Sequence, residues 1–254
     1  MTESLVGRTA VVTGGGNGLG RAMCRSLSVA GARVIAVGRK KSTVEETLAG
    51  LQGPGRAAVC DVADPDSVRA LVEELVGEDV SILVNNAGVA GPVKPLIDVE
   101  PGEWDGVFDI NVRGVYQMCR AFLPAMIERG SGDVVNLASV SGKRPLLNRT
   151  PYTASKMAVI GLTTTLAGEV GPAGVAVNSL SPGPVAGPRM QRNFRLEAER
   201  TGTTEAEAER EFVSRSLMKR MVTEEEVGDA LVRMLGMSGL CGADIDLSAG
   251  MVAR

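Results

Sequence analysis

The sequence predicts an α/β fold, a single-domain doubly wound parallel sheet of the Rossmann-like type with helices on both faces. Two observations support this class. Short β-branched runs alternate with amphipathic helical patterns along the 254 residues, and no break in composition divides them. Parallel strands need crossover connections, which are usually helices, so this alternation is typical of a parallel sheet. We therefore expect one domain over residues 1–254.

The elements follow from the same patterns. Strands are predicted at 9–13, 33–37, 56–60, 81–85, 133–138, 175–179 and 243–247. Helices are predicted at 21–30, 64–76, 101–129, 150–169 and 224–235. Asp64-Pro65 and Thr150-Pro151 should cap and begin two of these helices. Pro124 should kink the long helix, because proline removes a hydrogen bond inside a helix.

Residues 188–220 interrupt the alternation. They are rich in Arg and Glu and have few large apolar residues. Two interpretations are open and mutually compatible: a pair of solvated surface helices, or a mobile lid over a substrate site, since long insertions in compact domains are often functional.

The composition excludes several kinds of chemistry. The chain has no histidine, so it has no Ser-His-Asp machinery and no imidazole ligand for a metal, and we predict no metal site. A formal net charge of −3 gives no footprint for nucleic acid. The four cysteines show no CxxC spacing, and neither a signal segment nor a membrane-spanning run is apparent. We expect a reduced, cytoplasmic protein without nucleic-acid or membrane partners, its cysteines acting as small buried hydrophobes.

A glycine-rich turn, Thr13-Gly-Gly-Gly-Asn-Gly-Leu-Gly20, joins the first predicted strand to the first helix. Residues without Cβ let backbone N–H groups approach a pyrophosphate at the positive end of a helix. A merely structural tight turn would use the same residues. The position in the first strand-to-helix connection favours a dinucleotide site, whose contacts here would be Gly14, Asn17, Gly18, Leu19 and Gly20.

The residues after the second predicted strand bear on the choice of cofactor. NAD-binding versions of this fold place a carboxylate about 20 residues after the glycines, on the ribose hydroxyls. No Asp or Glu occurs from Arg21 through Val44, and the strand is followed by Arg39-Lys-Lys41. Arginine suits a 2′-phosphate, although basic residues on a loop can also be simply solvated. We expect NADP(H) in preference to NAD(H), with Arg39 as a contact.

A tyrosine and a lysine stand four residues apart in Tyr152-Thr-Ala-Ser-Lys156. Residues i and i+4 share one face of a helix. A phenol ordinarily loses its proton only near pH 10, and a nearby ammonium group stabilises the phenolate. The spacing is not decisive alone, but such a pair could exchange protons in place of the absent histidine. Upstream, Ser139 follows the fifth strand and could donate to a substrate carbonyl; Ser141 is the alternative, and either could be a plain loop serine.

Together these motifs resemble the short-chain dehydrogenase/reductase family, in its single-domain branch, over nearly the whole chain. The family's ordered motifs match residues 13–20, 61–62, 85–88, 111, 136–142, 152–156 and 182–185. The serine motif of the family selects Ser139 over Ser141, with Ala138 in place of the first serine. The threonine that usually follows Val185 by two residues is Gly187 here, so one contact to the nicotinamide or pyrophosphate is in question.

The resemblance implies hydride transfer between a nicotinamide cofactor and a ketone or secondary alcohol. Ser139 would polarise the carbonyl and Tyr152 would protonate it, while Lys156 would hold the nicotinamide ribose and stabilise the phenolate. Asn111 would support a water between Lys156 and solvent. Besides Tyr152 and Lys156, the implied cofactor contacts are Asp61, Val62, Asn85, Ala87, Gly88, Pro182, Gly183 and Val185.

The sequence says less about the substrate and the oligomeric state than about the type of reaction. The expected pocket is mainly apolar, with Ala90, Val93, Val140, Leu146, Leu147, Met190 and Phe194 near the site. Arg144 and Arg149 could meet an anionic group or be solvated. The substrate should be a small carbonyl or alcohol, and nothing selects its identity. The resemblance implies a homotetramer or homodimer on the two long helices, where Gly114, Gly161 and Gly168 could permit close packing.

A different class stays open: a catalytically silent NADP(H)-binding sensor or structural protein. The joint presence of Ser139, Tyr152, Lys156 and Asn111 argues against it, because a silent site has no chemical need for all four. Relatives that reduce enoyl double bonds space the tyrosine and lysine seven apart. Epimerase-type relatives have a differently spaced glycine motif and an extra C-terminal domain.

Overall fold

Seven parallel strands form one sheet in the computed structural model, which describes residues 4–144 and 146–252; the predicted domain span therefore extends beyond the described residues at both ends. The strands are β1 (Thr9–Thr13), β2 (Arg33–Gly38), β3 (Gly55–Val59), β4 (Val80–Asn85), β5 (Gly132–Leu137), β6 (Val175–Pro182) and β7 (Asp244–Leu247). Their order is β3-β2-β1-β4-β5-β6-β7. The predicted doubly wound parallel sheet is confirmed.

Helices cover both faces of the sheet. They are α1 (Gly18–Val29), α2 (Lys41–Ala49), α3 (Pro65–Glu74), α4 (Pro101–Phe108), α5 (Gly114–Arg129), α6 (Thr150–Val170), α7 (Pro188–Thr201), α8 (Glu205–Val213) and α9 (Glu224–Leu235). One core cluster joins α3, α5 and α6 to the sheet, and the other joins α1, α2 and α9 to the opposite face. Successive residues of β1 alternate between them: Val11 belongs to the first cluster, Ala10 and Val12 to the second.

Two helical predictions need correction. Helix α2 was not predicted, and its residues explain why: only Val44 and Thr47 of its nine are buried, so its apolar pattern is weak. The long helix predicted from Pro101 is interrupted by a π-helical turn at Asp109–Arg113, and α5 then continues through Pro124 to Arg129. The helix is therefore irregular around Asn111, where π-turns often mark functional positions, and a kink at Pro124 stays a prediction.

The predicted helix starts are partly confirmed. The Asp64 carboxylate accepts a hydrogen bond from the backbone N–H of Asp66 at 2.9 Å, with Pro65 in the first helical position, as expected. Thr150 is not the cap of α6 but its first residue, and Arg149 precedes it as the cap. Pro151 fits the first turn because its missing N–H is not needed there, and α6 begins at Thr150, within the predicted range.

Residues 188–220 contain a pair of helices, α7 and α8, which pack on one another. Phe194 and Phe212 meet edge to face with ring centroids 5.4 Å apart, and Ala198 and Ala208 are buried beside them. The pair of surface helices is therefore present, and the mobile lid stays a prediction.

Of the remaining predictions, some are confirmed and others are wrong. Cys24, Cys60 and Cys119 are buried as expected, and burial raises the pKa of the Cys24 and Cys119 thiols to about 12; Cys241, however, is exposed, so the expectation fails there. Gly114 was expected at a subunit contact, but a Cβ there would lie 2.7 Å from Val62 of the same chain, so Gly114 packs inward. In the described residues, no helix combines the length and hydropathy needed to cross a membrane.

Candidate active site

The predicted site residues converge on one edge of the sheet. In this architecture the chain runs outward in both directions from the gap between β1 and β4, and ligands bind outside the carboxyl ends of the strands. Gly14 follows β1, Arg39 follows β2, Ala87 follows β4 and Ser139 follows β5. Residues that are far apart in sequence are therefore brought to one crevice by the parallel topology.

The glycine turn is packed so closely that side chains have no room. Gly14 has φ +66°, and a Cβ there would lie 2.8 Å from Asn86 Nδ2 and 3.1 Å from Ala87 Cα. A Cβ at Gly20 would overlap the carbonyl oxygen of Gly14. These two glycines therefore bring the turn against the end of β4 and seat the first turn of α1 on β1, the roles that a dinucleotide turn gives them.

The N-terminus of α1 fits a phosphate group. Asn17 caps the helix without a side-chain hydrogen bond, and the first turn holds no acidic residue. By contrast, Thr223 caps α9 with its hydroxyl, which accepts from the N–H of Glu226. The first N–H groups of α1 are thus not satisfied by a cap and carry the positive end of the helix dipole. Together with the glycine packing, this arrangement fits the pyrophosphate of a nicotinamide dinucleotide.

Tyr152 and Lys156 lie together on α6. The Nζ atom of Lys156 is 5.9 Å from the centroid of the Tyr152 ring and donates a hydrogen bond to the carbonyl oxygen of Leu137 at 2.6 Å. Lys156 is only 6 % exposed, and its burial lowers the pKa of the ammonium to about 8. The lysine is therefore fixed between α6 and the end of β5, with its charge directed toward the phenol.

Asn111 is buried within the π-turn and joins three segments. Its Oδ1 accepts from the N–H of Val89 at 2.8 Å, and its Nδ2 donates to the Val89 carbonyl and to Ser155 Oγ, both at 3.0 Å. A Cβ at Gly88 would lie 3.2 Å from Asn111 Oδ1 and 3.7 Å from Lys156 Nζ. Asn111 and Lys156 therefore border the same small space beside Gly88, where a Cβ would contact Asn111 Oδ1 tightly.

Ser139 caps the short 3₁₀ turn Val140–Gly142, and its Oγ accepts from the N–H of Ser141 at 3.1 Å. This leaves the hydroxyl proton of Ser139 available for another acceptor, because the bond to Ser141 uses only a lone pair. Ser139 is 7 % exposed and follows β5. The last residue of that strand, Leu137, accepts the hydrogen bond from the Lys156 ammonium through its carbonyl oxygen.

The expected adenosine contacts lie at the ends of β2 and β3. Arg39 is exposed on the loop after β2, and its side chain forms no hydrogen bond within the described part of the chain. The Asp61 carboxylate accepts from the N–H of Ala63 at 3.0 Å, which fixes it in a turn after β3. Val62 is buried, and its carbonyl accepts from Gln117 Nε2 at 2.8 Å.

Asn85 and the two residues after it contact different strands. Asn85 is 3 % exposed, and its Nδ2 donates to Asn136 Oδ1 at 2.8 Å inside the sheet, so its side chain supports the strands. Asn86, which was not among the predicted contacts, donates to the Thr13 carbonyl at 2.9 Å. Thr13 Oγ1 in turn accepts from the N–H groups of Asn86 and Ala87, both at 3.0 Å. Asn85 therefore connects β4 to β5, and Asn86 connects the end of β4 to β1.

The chain leaving β6 closes the other side of the crevice. The N–H of Gly183 donates to the Leu247 carbonyl at 2.8 Å, after Pro182 ends β6, and Val185 forms an isolated bridge with Val222. A Cβ added at Gly187 would lie 3.8 Å from a carboxylate oxygen of Glu224. A Cβ added at Gly18 would lie at the same distance from that oxygen. Glu224, the first residue of α9, therefore borders both the glycine turn and the segment after β6.

The expected apolar pocket is only partly assembled. Val93, Leu146 and Leu147 are exposed on loops beside the site, and these loops are joined by a hydrogen bond from the Lys94 N–H to the Asn148 carbonyl at 3.0 Å. Phe194 was expected to line the pocket, but it is 5 % exposed and packs between α7 and α8 instead. Phe194 belongs to the α7–α8 core because the facing helix offers Phe212 as an aromatic partner.

One cation approaches Tyr152 from outside the motif. The guanidinium carbon of Arg149 lies 5.8 Å from the centroid of the Tyr152 ring. Among the described residues, no group of three His, Cys, Asp or Glu side chains is arranged to hold a metal ion.

Comparison with known proteins identifies the family. Residues 8–199 match the family model described as short chain dehydrogenase. The uncharacterized oxidoreductase YvrD of Bacillus subtilis (strain 168) is 34 % identical over 240 residues, covering 91 % of this chain and 90 % of that protein. D-threitol dehydrogenase of Mycolicibacterium smegmatis is 38 % identical over 183 residues, covering 70 % of each.

Solved structures agree with this assignment. An actinorhodin polyketide ketoreductase with NADPH has a TM-score of 0.89 at 30 % identity, covering 97 % of this chain and 98 % of its own. NAD⁺-bound xylitol dehydrogenase has a TM-score of 0.90 at 27 % identity, covering 98 % of this chain and 100 % of its own. The chain belongs to the short-chain dehydrogenase family of oxidoreductases, as its motifs predicted.

Proposed function

We propose that this chain transfers hydride between NADP(H) and a ketone or secondary alcohol, with Tyr152 as the general acid and base. The observation that carries the proposal is the arrangement of Tyr152 and Lys156, with the ammonium 5.9 Å from the phenol ring and held by the end of β5. When bound, the nicotinamide supplies or accepts the hydride.

Proton transfer is assigned to Tyr152 because the chain offers few other groups for it. No histidine exists in the sequence. Tyr152 is half-buried, so its side chain is accessible to a substrate. A cation beside the ring stabilises the phenolate that forms when the proton leaves. In the reductive direction Tyr152 donates its proton to the carbonyl oxygen; in the oxidative direction it removes the alcohol proton.

Ser139 is assigned to bind and polarise the reacting oxygen. Its hydroxyl proton is not used by the bond from Ser141, and a hydrogen bond to the oxygen would stabilise the negative charge that develops there. Lys156 would hold the nicotinamide ribose and keep positive charge beside Tyr152. Asn111 would support a water in the space beside Gly88, through which a proton could return to Lys156 from solvent.

The preference for NADP(H) rests on Arg39. Its guanidinium lies on the exposed loop after β2, where the adenosine ribose is bound in this fold. No carboxylate from Arg21 through Val44 is present to bind a free 2′-hydroxyl. The remaining cofactor contacts are assigned to the glycine turn, Asp61, Val62, the backbone of residues 85–88, and the segment 182–185. We also propose that the chain assembles as a dimer or tetramer on α5 and α6, where Gly161 and Gly168 are exposed.

The test is spectroscopic. NADPH and NADH are first titrated against the protein by fluorescence, and a panel of ketones and secondary alcohols is then screened by the absorbance of the reduced nicotinamide. Turnover with NADPH supports the proposal. Tight cofactor binding without turnover of any substrate would favour the silent sensor or structural protein instead.

A further inference from the structure

The short turn after β5 that carries Ser139 ends in a lysine with no part in the proposed reaction. We infer that this residue, Lys143, is a positioning residue: its ion pairs with Asp244 and Asp246 on β7 fix the turn, and with it the place from which the Ser139 hydroxyl donates. This role rests on the function proposed above, in which Ser139 binds the reacting oxygen.

The turn is closed by its own hydrogen bonds. The N–H groups of residues 141–144 donate, in order, to Ser139 Oγ at 3.1 Å, to the Ser139 carbonyl at 3.0 Å, and to the Val140 carbonyl at 3.0 and 2.9 Å. A Cβ at Gly142 would lie 3.2 Å from a backbone nitrogen of α6, so the turn packs directly on the catalytic helix. Because these bonds link Ser139 to residues 141–144, whatever holds Lys143 in place also holds Ser139.

Lys143 is held by β7, the strand at the edge of the sheet. Its ammonium donates to Asp244 Oδ2 at 2.5 Å and to Asp246 Oδ1. Asp244 is fixed in turn, because its Oδ1 accepts from the hydroxyls of Ser179 at 2.8 Å and Ser181 at 2.7 Å, both fully buried on β6. Both carboxylate oxygens of Asp244 are therefore bonded, and the turn after β5 is connected across β6 to β7.

The ion pairs lie largely away from water. The Lys143 side chain is 7 % exposed and that of Asp244 is 13 % exposed, whereas the ion-paired side chains of Lys94 and Glu103 are 32 % and 37 % exposed. Burying charges costs desolvation that often cancels their attraction, so such a pair is better suited to fixing a geometry than to adding stability. The Ser139 hydroxyl needs a fixed geometry, because a misplacement of about 1 Å at a reacting group can cost about a hundredfold in rate.

The first measurement is hydrogen–deuterium exchange of the amides of residues 141–144 in the full chain, taken as a ratio to the amides of β1. Lys143→Met removes the charge and Lys143→Arg keeps it. The matched control is Arg8→Met, which breaks an ion pair with Asp133 at the opposite end of β5. We expect the exchange ratio to rise about tenfold or more in Lys143→Met and to stay near wild type in Lys143→Arg and Arg8→Met.

The second measurement is a double-mutant cycle with Ser139→Ala, using NADPH and the best substrate of the ketone panel. Because Lys143 acts through Ser139, Lys143→Met should lower kcat about tenfold when Ser139 is present and less than about twofold in the Ser139→Ala background. KM for NADPH should not change. A purely structural role would lower kcat by the same factor in both backgrounds, and this result would overturn the inference.

A second variant covers the charge that Lys143→Met leaves without a partner. Lys143→Met combined with Asp244→Asn breaks the same connection with less buried charge, and it should give the same exchange ratio and the same cycle. An unchanged exchange ratio in a folded variant overturns the inference. Absence of turnover with every compound counts against the proposed function alone. The exchange ratio then decides the inference: a rise confined to Lys143→Met and the combined variant supports it, and no rise overturns it.

Discussion

The Lys156 ammonium donates a hydrogen bond to the carbonyl oxygen of Leu137 at 2.6 Å, so helix α6 is tied to the last residue of β5. The same ammonium lies 5.9 Å from the Tyr152 ring. One side chain thus connects the sheet edge to the proposed proton donor, and it is 6 % exposed. Its charge is held where water cannot screen it, which makes it effective beside the phenol and costly for folding.

The first prediction concerns that cost. Burial lowers the Lys156 pKa from its ordinary 10.5 to about 8. Below about pH 8 the Lys156 amine is protonated in both the folded and the unfolded chain, and the folded state carries the full cost of burying the charge. Between about pH 8 and 10.5 only the unfolded chain keeps this proton. The free energy of unfolding therefore rises with pH across that range. Urea unfolding from pH 7 to 10.5 should show wild type gaining about 3 kcal/mol relative to Lys156→Met. Parallel profiles for the two proteins would contradict a buried charged lysine.

The second prediction concerns the glycine turn. Ala at Gly20 would overlap the Gly14 carbonyl, so the backbone of the turn must shift and cofactor binding should fall at least about tenfold, with a loss of about 1–3 kcal/mol in stability. Gly106→Ala on α4 is the matched control, because nothing lies within 4 Å of its Cβ; it should leave cofactor affinity unchanged and stabilise by up to about 1 kcal/mol. Fluorescence titration and urea unfolding measure both. Equal behaviour of the two variants would show that the turn tolerates a Cβ.

The third prediction concerns cofactor choice. Arg39→Gln should weaken NADPH about ten- to a hundredfold while changing NADH affinity little, because only the 2′-phosphate loses a charge-assisted bond. Lys41→Gln is the control on the same segment, since Lys41 lies 3.8 Å from Glu45 and its charge is partly balanced. A wild-type preference for NADH, or an equal loss for both cofactors in Arg39→Gln, would contradict the role given to Arg39.

Much of the fold could be predicted because the signals were local. Strands of a parallel sheet are buried on both faces and appear as β-branched runs, and all seven were placed near their observed positions. Helix α2 escaped prediction because its burial is slight, and the π-turn at Asp109–Arg113 has no periodic signal of its own. Its geometry depends on Asn111 contacting Val89 and Ser155, which are distant in sequence.

The sequence supplied candidate residues for the site but not the contacts that these residues make. The four-residue spacing placed Tyr152 and Lys156 on one helix face. Nothing in the local sequence indicated that the Lys156 ammonium would donate a hydrogen bond to the Leu137 carbonyl. The position of Arg149 beside the phenol, the partnership of Asn85 with Asn136, and the burial of Phe194 against Phe212 all depend on tertiary packing. Such relationships are set by how elements meet, which a linear pattern does not encode.

The fourth prediction tests the central claim, because the chain has two tyrosines and each can lose its hydroxyl in turn. Tyr152→Phe removes the proposed proton donor without altering the ring, whereas Tyr116→Phe changes a half-exposed residue on α5. With the best substrate of the ketone panel, the rate of NADPH oxidation should fall at least about a hundredfold in Tyr152→Phe and stay near wild type in Tyr116→Phe, with NADPH affinity retained in both. A Tyr152→Phe variant that turns over at near wild-type rates would contradict the account.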